Sequence, residues 1–110
     1  MGRLVSKPLQ GALNLLILRT LSQGPLHGYA ITIRIQQISE DVLQVEEGSL
    51  YPALHRLQQD GLVSSEWATS ETNRRVRYYN LTAKGRRELE SEIADWERVN
   101  AAIAKVLRYA

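Results

Sequence analysis

Cysteine is missing from this sequence of 110 residues, which excludes a disulfide framework and a metal held by thiolates. No stretch approaches the roughly 18 apolar residues that span a bilayer. The first residues carry no apolar signal core, so a cytoplasmic protein with no membrane partner is expected. The parts of an enzyme are also lacking. His27 and His55 fit no metal-ligand spacing, there is no glycine-rich phosphate loop, and the carboxylates form no pair outside solvated helical faces. Glu46 and Glu47 are adjacent, but negative charge at a helix N-terminus explains them better than an acid–base pair. No catalytic residue, metal ligand or cofactor is expected. Residues 1–6 (MGRLVS) match a loose myristoylation pattern and residues 80–82 (NLT) a glycosylation sequon; both are short patterns that recur by chance.

A further absence is local. Between Thr72 and Arg87 there is no acidic side chain, while Arg74, Arg75, Arg77, Lys84, Arg86 and Arg87 provide six of the 14 basic ones. On a chain whose net charge is only +2, that is a local patch suited to a polyanion. Glu88, Glu90, Glu92, Asp95 and Glu97 then reverse the sign, so the polyanion should not follow the last helix to its end.

What is present is organised around residues 47–63, EGSLYPALHRLQQDGLV. Pro52 has no backbone N–H and its ring clashes with the carbonyl four residues back, which places it in a first helical turn starting near Gly48 or Ser49. At about 100° per residue, Leu50, Ala53, Leu54 and Leu57 share one stripe, and Pro52, His55, Arg56 and Gln59 lie opposite. The first set is core and the second faces outward. Asp60-Gly61 ends the helix, with Gly61 in the left-handed conformation.

Around that helix the chain divides into a loose basic arm (1–8), one domain (9–82) and a dimerisation element (83–110). Residues 9–21 are a helix with Leu9, Ala12, Leu13, Leu16, Ile17 and Leu21 on one face and Leu15 and Leu18 to the side. A helix apolar nearly all round is buried on more than one side, so Leu13 and Leu16 are expected to reach a second subunit as well. Gln23-Gly24-Pro25 closes it. A second helix runs from Gly28 to about Ser39 with Ala30, Ile31, Ile35 and Ile38 inward. At its start His27 and Tyr29 either flank a phosphate or fix the turn. Residues 40–46 form a connector with a short extended piece at 43–45.

Residues 63–67 alternate as a strand, 68–73 carry turn chemistry, and 74–81 return as a second strand. Val76 and Tyr78 share one face of that strand, Tyr79 and Leu81 the other, and both faces have an apolar claim. Thr82 caps a last helix over 83–107, whose start Gly85 weakens. Along it Leu89, Ile93, Trp96, Asn100, Ile103 and Leu107 step by four and three, the spacing of a coiled-coil seam, with Asn100 at a position that sets register.

Three helices and a basic-tipped hairpin give the fold class: α+β, mainly helical, a winged helix-turn-helix with a long C-terminal dimerisation helix. The central helix would enter the major groove of double-stranded DNA, presenting Ser49, Pro52, His55, Arg56 and Gln59 to base edges with Tyr51 at a phosphate. Arg74, Arg75 and Arg77 would contact the backbone or enter the minor groove.

The blocks LQGALNLLILRTLSQGPLHGYAI, EGSLYPALHRLQQDGLVSSEW and RRVRYYNLTAKG together resemble the PadR family of bacterial transcriptional regulators, in its small branch with a single last helix. The resemblance implies a winged-helix repressor that works as a homodimer, each C-terminal helix packing on the partner. By the same resemblance Ser49, Tyr51, Pro52, His55 and Arg56 form the DNA-contacting helix, and Arg74, Arg75, Arg77, Tyr78 and Tyr79 the wing. In some small members a tryptophan of the last helix faces its symmetry mate and stacks planar aromatic ligands. Trp96 stands at that place, with Leu15, Ile93 and Asn100 nearby, which implies a small aromatic or amphipathic effector. The family's acidic residue four positions on is Asn100 here, so a taste for cationic ligands does not carry over. Packing alone is the competing account of Trp96.

A winged-helix module that binds protein instead of DNA is the alternative from another class. The acid-free basic wing separates the two, since a protein adaptor has no need of it.

Overall fold

A computed structural model of the chain describes residues 7–110, and side-chain surroundings from residue 12 onward. The myristoylation match and the first six residues of the expected arm lie outside the described residues, as does the side chain of Leu9. The element order is α1 (Lys7–Leu21), β1 (Leu26–His27), α2 (Gly28–Ile38), α3 (Glu47–Gln59), β2 (Val63–Thr69), β3 (Arg75–Leu81) and α4 (Ala83–Leu107). The strands form one antiparallel sheet in the order β1-β3-β2. This is the winged helix-turn-helix the element order implied.

Leu13, Ile17, Leu18 and Leu21 of α1, Ile31 and Ile35 of α2, and Leu50, Ala53, Leu54 and Leu57 of α3 converge on a single core, closed by Leu62, Val63, Tyr79 and Leu89. The all-round apolar character of α1 is accounted for within the chain, because α1 packs on α2, α3 and α4 at once. Leu18, expected at the side, is fully buried. Leu13 and Leu89, expected at a dimer interface, are only 5% and 3% exposed in the single chain, so both belong to its own core. Leu16 and Ile93 are half-buried against it. Ile38 is 71% exposed instead of facing inward, since α2 ends there. Glu40 and Asp41 turn the chain with φ of 54° and 69°. The Asp41 N–H donates to the Gln36 carbonyl at 2.9 Å. The 43–45 segment forms no strand; Leu43 and Val45 tuck against the core instead.

Two local devices set α3. Its N-cap is Glu46 and its first residue Glu47, so Pro52 lies deeper than the first turn. The missing Pro52 N–H leaves the Gly48 carbonyl without its helical donor, which is tolerable because Gly48 is exposed and water can serve that carbonyl. At the other end Gly61 takes φ of 77° as expected. From there the chain is tied to the start of α4. The Thr82 hydroxyl donates to the Gly61 carbonyl at 2.7 Å, the Thr82 N–H donates to Leu62 at 3.1 Å, and Lys84 Nζ donates to the Asp60 carbonyl at 2.9 Å. Gly85 is there for this approach: a methyl group on it would overlap the Leu62 carbonyl. Its backbone N–H donates to the Thr82 hydroxyl at 2.9 Å, the expected cap.

α4 has two unlike parts. Gly85 and Leu89 are buried, whereas from Asp95 onward no residue is buried and Trp96, Val99, Ile103, Val106 and Leu107 are exposed, by 44% at Trp96 up to 79% at Leu107.

Candidate nucleic-acid interface

Burying Leu50, Ala53, Leu54 and Leu57 turns the other side of α3 outward. Ser49, Tyr51, Pro52, His55, Arg56 and Gln59, the residues singled out by helical spacing, are all exposed there. Tyr51 is the least free of them. Its ring lies against Gly28 at the start of α2, where a Cβ would collide with the phenol. Partial burial, then the charges of Glu47 and Tyr79, push its pKa up, so at neutral pH it remains an O–H donor. A groove of about 590 Å³ separates α3 from the sheet, lined by Tyr51, His55, Gln58, Gln59, Arg77 and Tyr79.

The sheet supplies the opposite wall. Val63 pairs with Leu81 and Thr69 with Arg75, so the hairpin loop spans 70–74. In it Asn73 has φ of 61° and the Ser70 N–H donates to the Arg74 carbonyl at 2.7 Å. Arg74 is exposed where the loop closes, and Arg75 and Arg77 project from the exposed end of β3. The strand's open question is answered by Tyr79: at 8% exposure it is core, and it backs the groove instead of offering the DNA-contacting surface expected of it. Tyr78, on the other face, is half-buried and meets the His27 ring edge to face with centroids 5.7 Å apart. His27 is itself committed, its Nδ1 accepting from the Ala30 N–H at 3.2 Å as the N-cap of α2. It fixes the turn, the second of the two readings.

Three residues that helical spacing could not single out complete this surface. Trp67 stands opposite Arg77 in the register, with the Arg75 and Arg77 guanidinium carbons 5.1 and 5.3 Å from its ring centre. Arg77 Nε donates to the Ser65 hydroxyl at 3.0 Å, and that hydroxyl donates to Gln58 Oε1 at 3.2 Å. Counting back from the hairpin turn would have placed Trp67 beside Arg77, but the bond from strand to α3 has no signal in the sequence.

The expected effector residues separate. Leu15 and Trp96 line a shallow groove of about 400 Å³ together with Glu88, Glu92 and Asp95. Ile93 packs toward the core and Asn100 is exposed one turn beyond, and neither lines the groove. Burial, a hydrogen bond with Glu88 and the charges of Glu88 and Asp95 raise the Glu92 pKa. The acidic groove and the basic wing are thus segregated on one chain.

A family model described as the transcriptional regulator PadR-like family matches residues 17–91. Among curated proteins, an uncharacterised 37.1 kDa protein in transposon TN4556 of Streptomyces fradiae is 39% identical over 81% of this chain, which spans only 24% of that protein's length. The transcriptional regulator Rv3488 of Mycobacterium tuberculosis is 36% identical over 76% of this chain and 74% of its own. Among solved structures, a PadR-like transcriptional regulator from Bacillus cereus superposes with a TM-score of 0.82 at 30% identity, covering 96% of this chain and all of that one (100%). A transcriptional regulator from Clostridium thermocellum gives 0.83 at 29% identity over 91% and 97%.

Proposed function

The chain belongs to the PadR-like family of transcriptional regulators, DNA-binding proteins and not enzymes, and from that premise we propose that it is a homodimeric repressor that reads a specific operator sequence. The observation that carries the reading is the outward face of α3: five exposed side chains able to donate, accept or stack (Ser49, Tyr51, His55, Arg56 and Gln59), beside the two arginines that project from β3. His55, Arg56 and Gln59 would meet base edges in the major groove, and Tyr51 and the wing arginines would meet phosphates. The protein would work in the cytoplasm, where its operator lies.

Dimerisation would use the protruding half of α4, where Trp96, Ile103 and Leu107 remain exposed in the single chain. Two copies joined there would set their α3 helices for successive major grooves, about 34 Å apart. A small aromatic or amphipathic effector would sit by Leu15 and Trp96 and relieve repression by binding better to a dimer with the wrong separation.

Fluorescence anisotropy tests this with a labelled duplex from the region upstream of the protein's own gene, a scrambled duplex, and two salt concentrations. Tighter binding to the upstream duplex that survives the higher salt supports sequence reading. Equal binding to both duplexes, erased by salt, would mean that only the charge of the wing was felt and would sink the operator reading.

A further inference from the structure

Trp67 is hard to explain as packing. It is 53% exposed and lies outside the core cluster, so what it touches on the hairpin surface says more about it than the core does. Its neighbours on the same face of the hairpin are two cations. Arg75 and Arg77 both stand within the roughly 6 Å at which a guanidinium is held by an indole ring. Side by side on one strand these two would repel, and the negative face of the ring offsets that repulsion. The Arg77 guanidinium is also held along one edge, because its Nε–H is spent on Ser65, whose own proton goes to Gln58 on α3. Among the described residues nothing bonds either Nη group of Arg77 or any part of the Arg75 fork. Among the described residues no carboxylate competes for either; the ion pair described is Arg98 with Asp95 on α4, 3.3 Å apart. Arg74, which closes the loop opposite Ser70, is held through its backbone alone, its N–H donating to the Ser70 hydroxyl at 3.2 Å and its carbonyl accepting from the Ser70 N–H at 2.7 Å.

Resting on the DNA-binding reading above, we propose that Trp67 and Ser65 are positioning residues that hold Arg75 and Arg77 as a pre-set pair for the DNA backbone. An arginine already fixed in place loses less side-chain freedom when it meets a phosphate. The Gln58–Ser65–Arg77 chain also ties the pair to α3, so that the wing and the major-groove helix reach the duplex as one rigid surface. Arg74 contributes charge without this fixing.

Duplex affinity in the anisotropy assay tests the idea with Trp67→Leu, Trp67→Phe, Ser65→Ala, Arg74→Ala, Arg75→Ala and Arg77→Ala, singly and in pairs with Trp67→Leu. Trp67→Leu should weaken the upstream and scrambled duplexes alike by roughly fivefold or more, leave thermal melting nearly unchanged, and be largely rescued by Trp67→Phe. In the Trp67→Leu background, Arg75→Ala and Arg77→Ala should each cost about threefold less than in the parent protein, whereas Arg74→Ala should cost the same in both. Ser65→Ala should weaken binding by about two- to threefold, which keeps the idea open to refutation if Trp67→Leu fails to fold. Unchanged affinity in Trp67→Leu and Ser65→Ala overturns the proposal, as do costs that simply add. A parent protein that binds neither duplex removes the DNA reading, and the positioning role falls with it.

Discussion

The outward face of α3 and the protruding half of α4 are both uncovered, but for opposite chemical reasons. Along α3 the uncovered side chains are Ser49, His55, Arg56 and Gln59, which cost nothing in water. Their exposure alone would be an ordinary solvated face, and only the adjoining arginines and the groove give it direction. Along α4 they are Trp96, Val99, Ile103, Val106 and Leu107. Contiguous apolar surface of that kind is what monomers rarely leave open. A polar face takes its meaning from the charge beside it, an apolar one from the cost of leaving it bare. The helices that carry them are also joined, the start of α4 at Thr82, Lys84 and Gly85 lying against Asp60–Leu62 just past α3. A shift at the start of α4 therefore bears directly on the end of α3.

The contrast can be broken from the core outward. Leu54 is 1% exposed beneath the polar face, and Leu54→Ala should lower stability by about 3 kcal/mol, read as a lower denaturant midpoint. A loss below about 1 kcal/mol would mean that α3 is not anchored by its inner stripe. At the joint between the regions, Gly85→Ala forces the α4 start off the Leu62 carbonyl and should cost about 2 kcal/mol. Unchanged melting would show that the approach has slack.

The apolar region is sharpened by Asn100→Asp. In a dimer seam this brings like charges together, so the dimer should dissociate several-fold more readily at neutral pH and recover in acid, as sedimentation at the two pH values would report. Equal dimer at both would place Asn100 away from the seam.

The smallest effect concerns Glu92. Its pKa is raised in the folded chain by burial and by Glu88, so the folded state holds this proton more tightly than the unfolded one. Its contribution to stability is fully present below the unfolded carboxyl range and is lost as pH rises through the folded value. Glu92→Gln should therefore melt higher than the parent at neutral pH, with the gap closing toward about pH 4. A gap that widens in acid would reverse the assignment.

Much of this was legible beforehand because the helices repeat apolar residues at their own period. The inner stripe of α3, the Thr82 cap and the hairpin all follow from residue type and spacing. What escaped depends on partners distant in the chain. β1 is two residues long and has no period of its own; it exists because Leu26 and His27 pair with Tyr79 and Tyr78. Seam spacing in α4 told that a stripe is apolar and not what covers it, so Leu89 and Ile93 went to the chain's own domain while Ile103 and Leu107 stayed bare. Gly85 looked like a weak helix start because the Leu62 carbonyl that requires it lies on another element. In the site, the exposed positions of α3 were legible from its period. Tyr79 was not, since the two faces of β3 are equally apolar in sequence and only packing chose between them.

On the reading proposed above, the polar face takes DNA while the apolar stripe takes a second copy. Sedimentation of the 12.5 kDa chain, alone and with an upstream duplex that it binds, tests both at once. The predicted result is a dimer in free solution and two chains on each duplex. A monomer in solution that binds the duplex one chain at a time would contradict it.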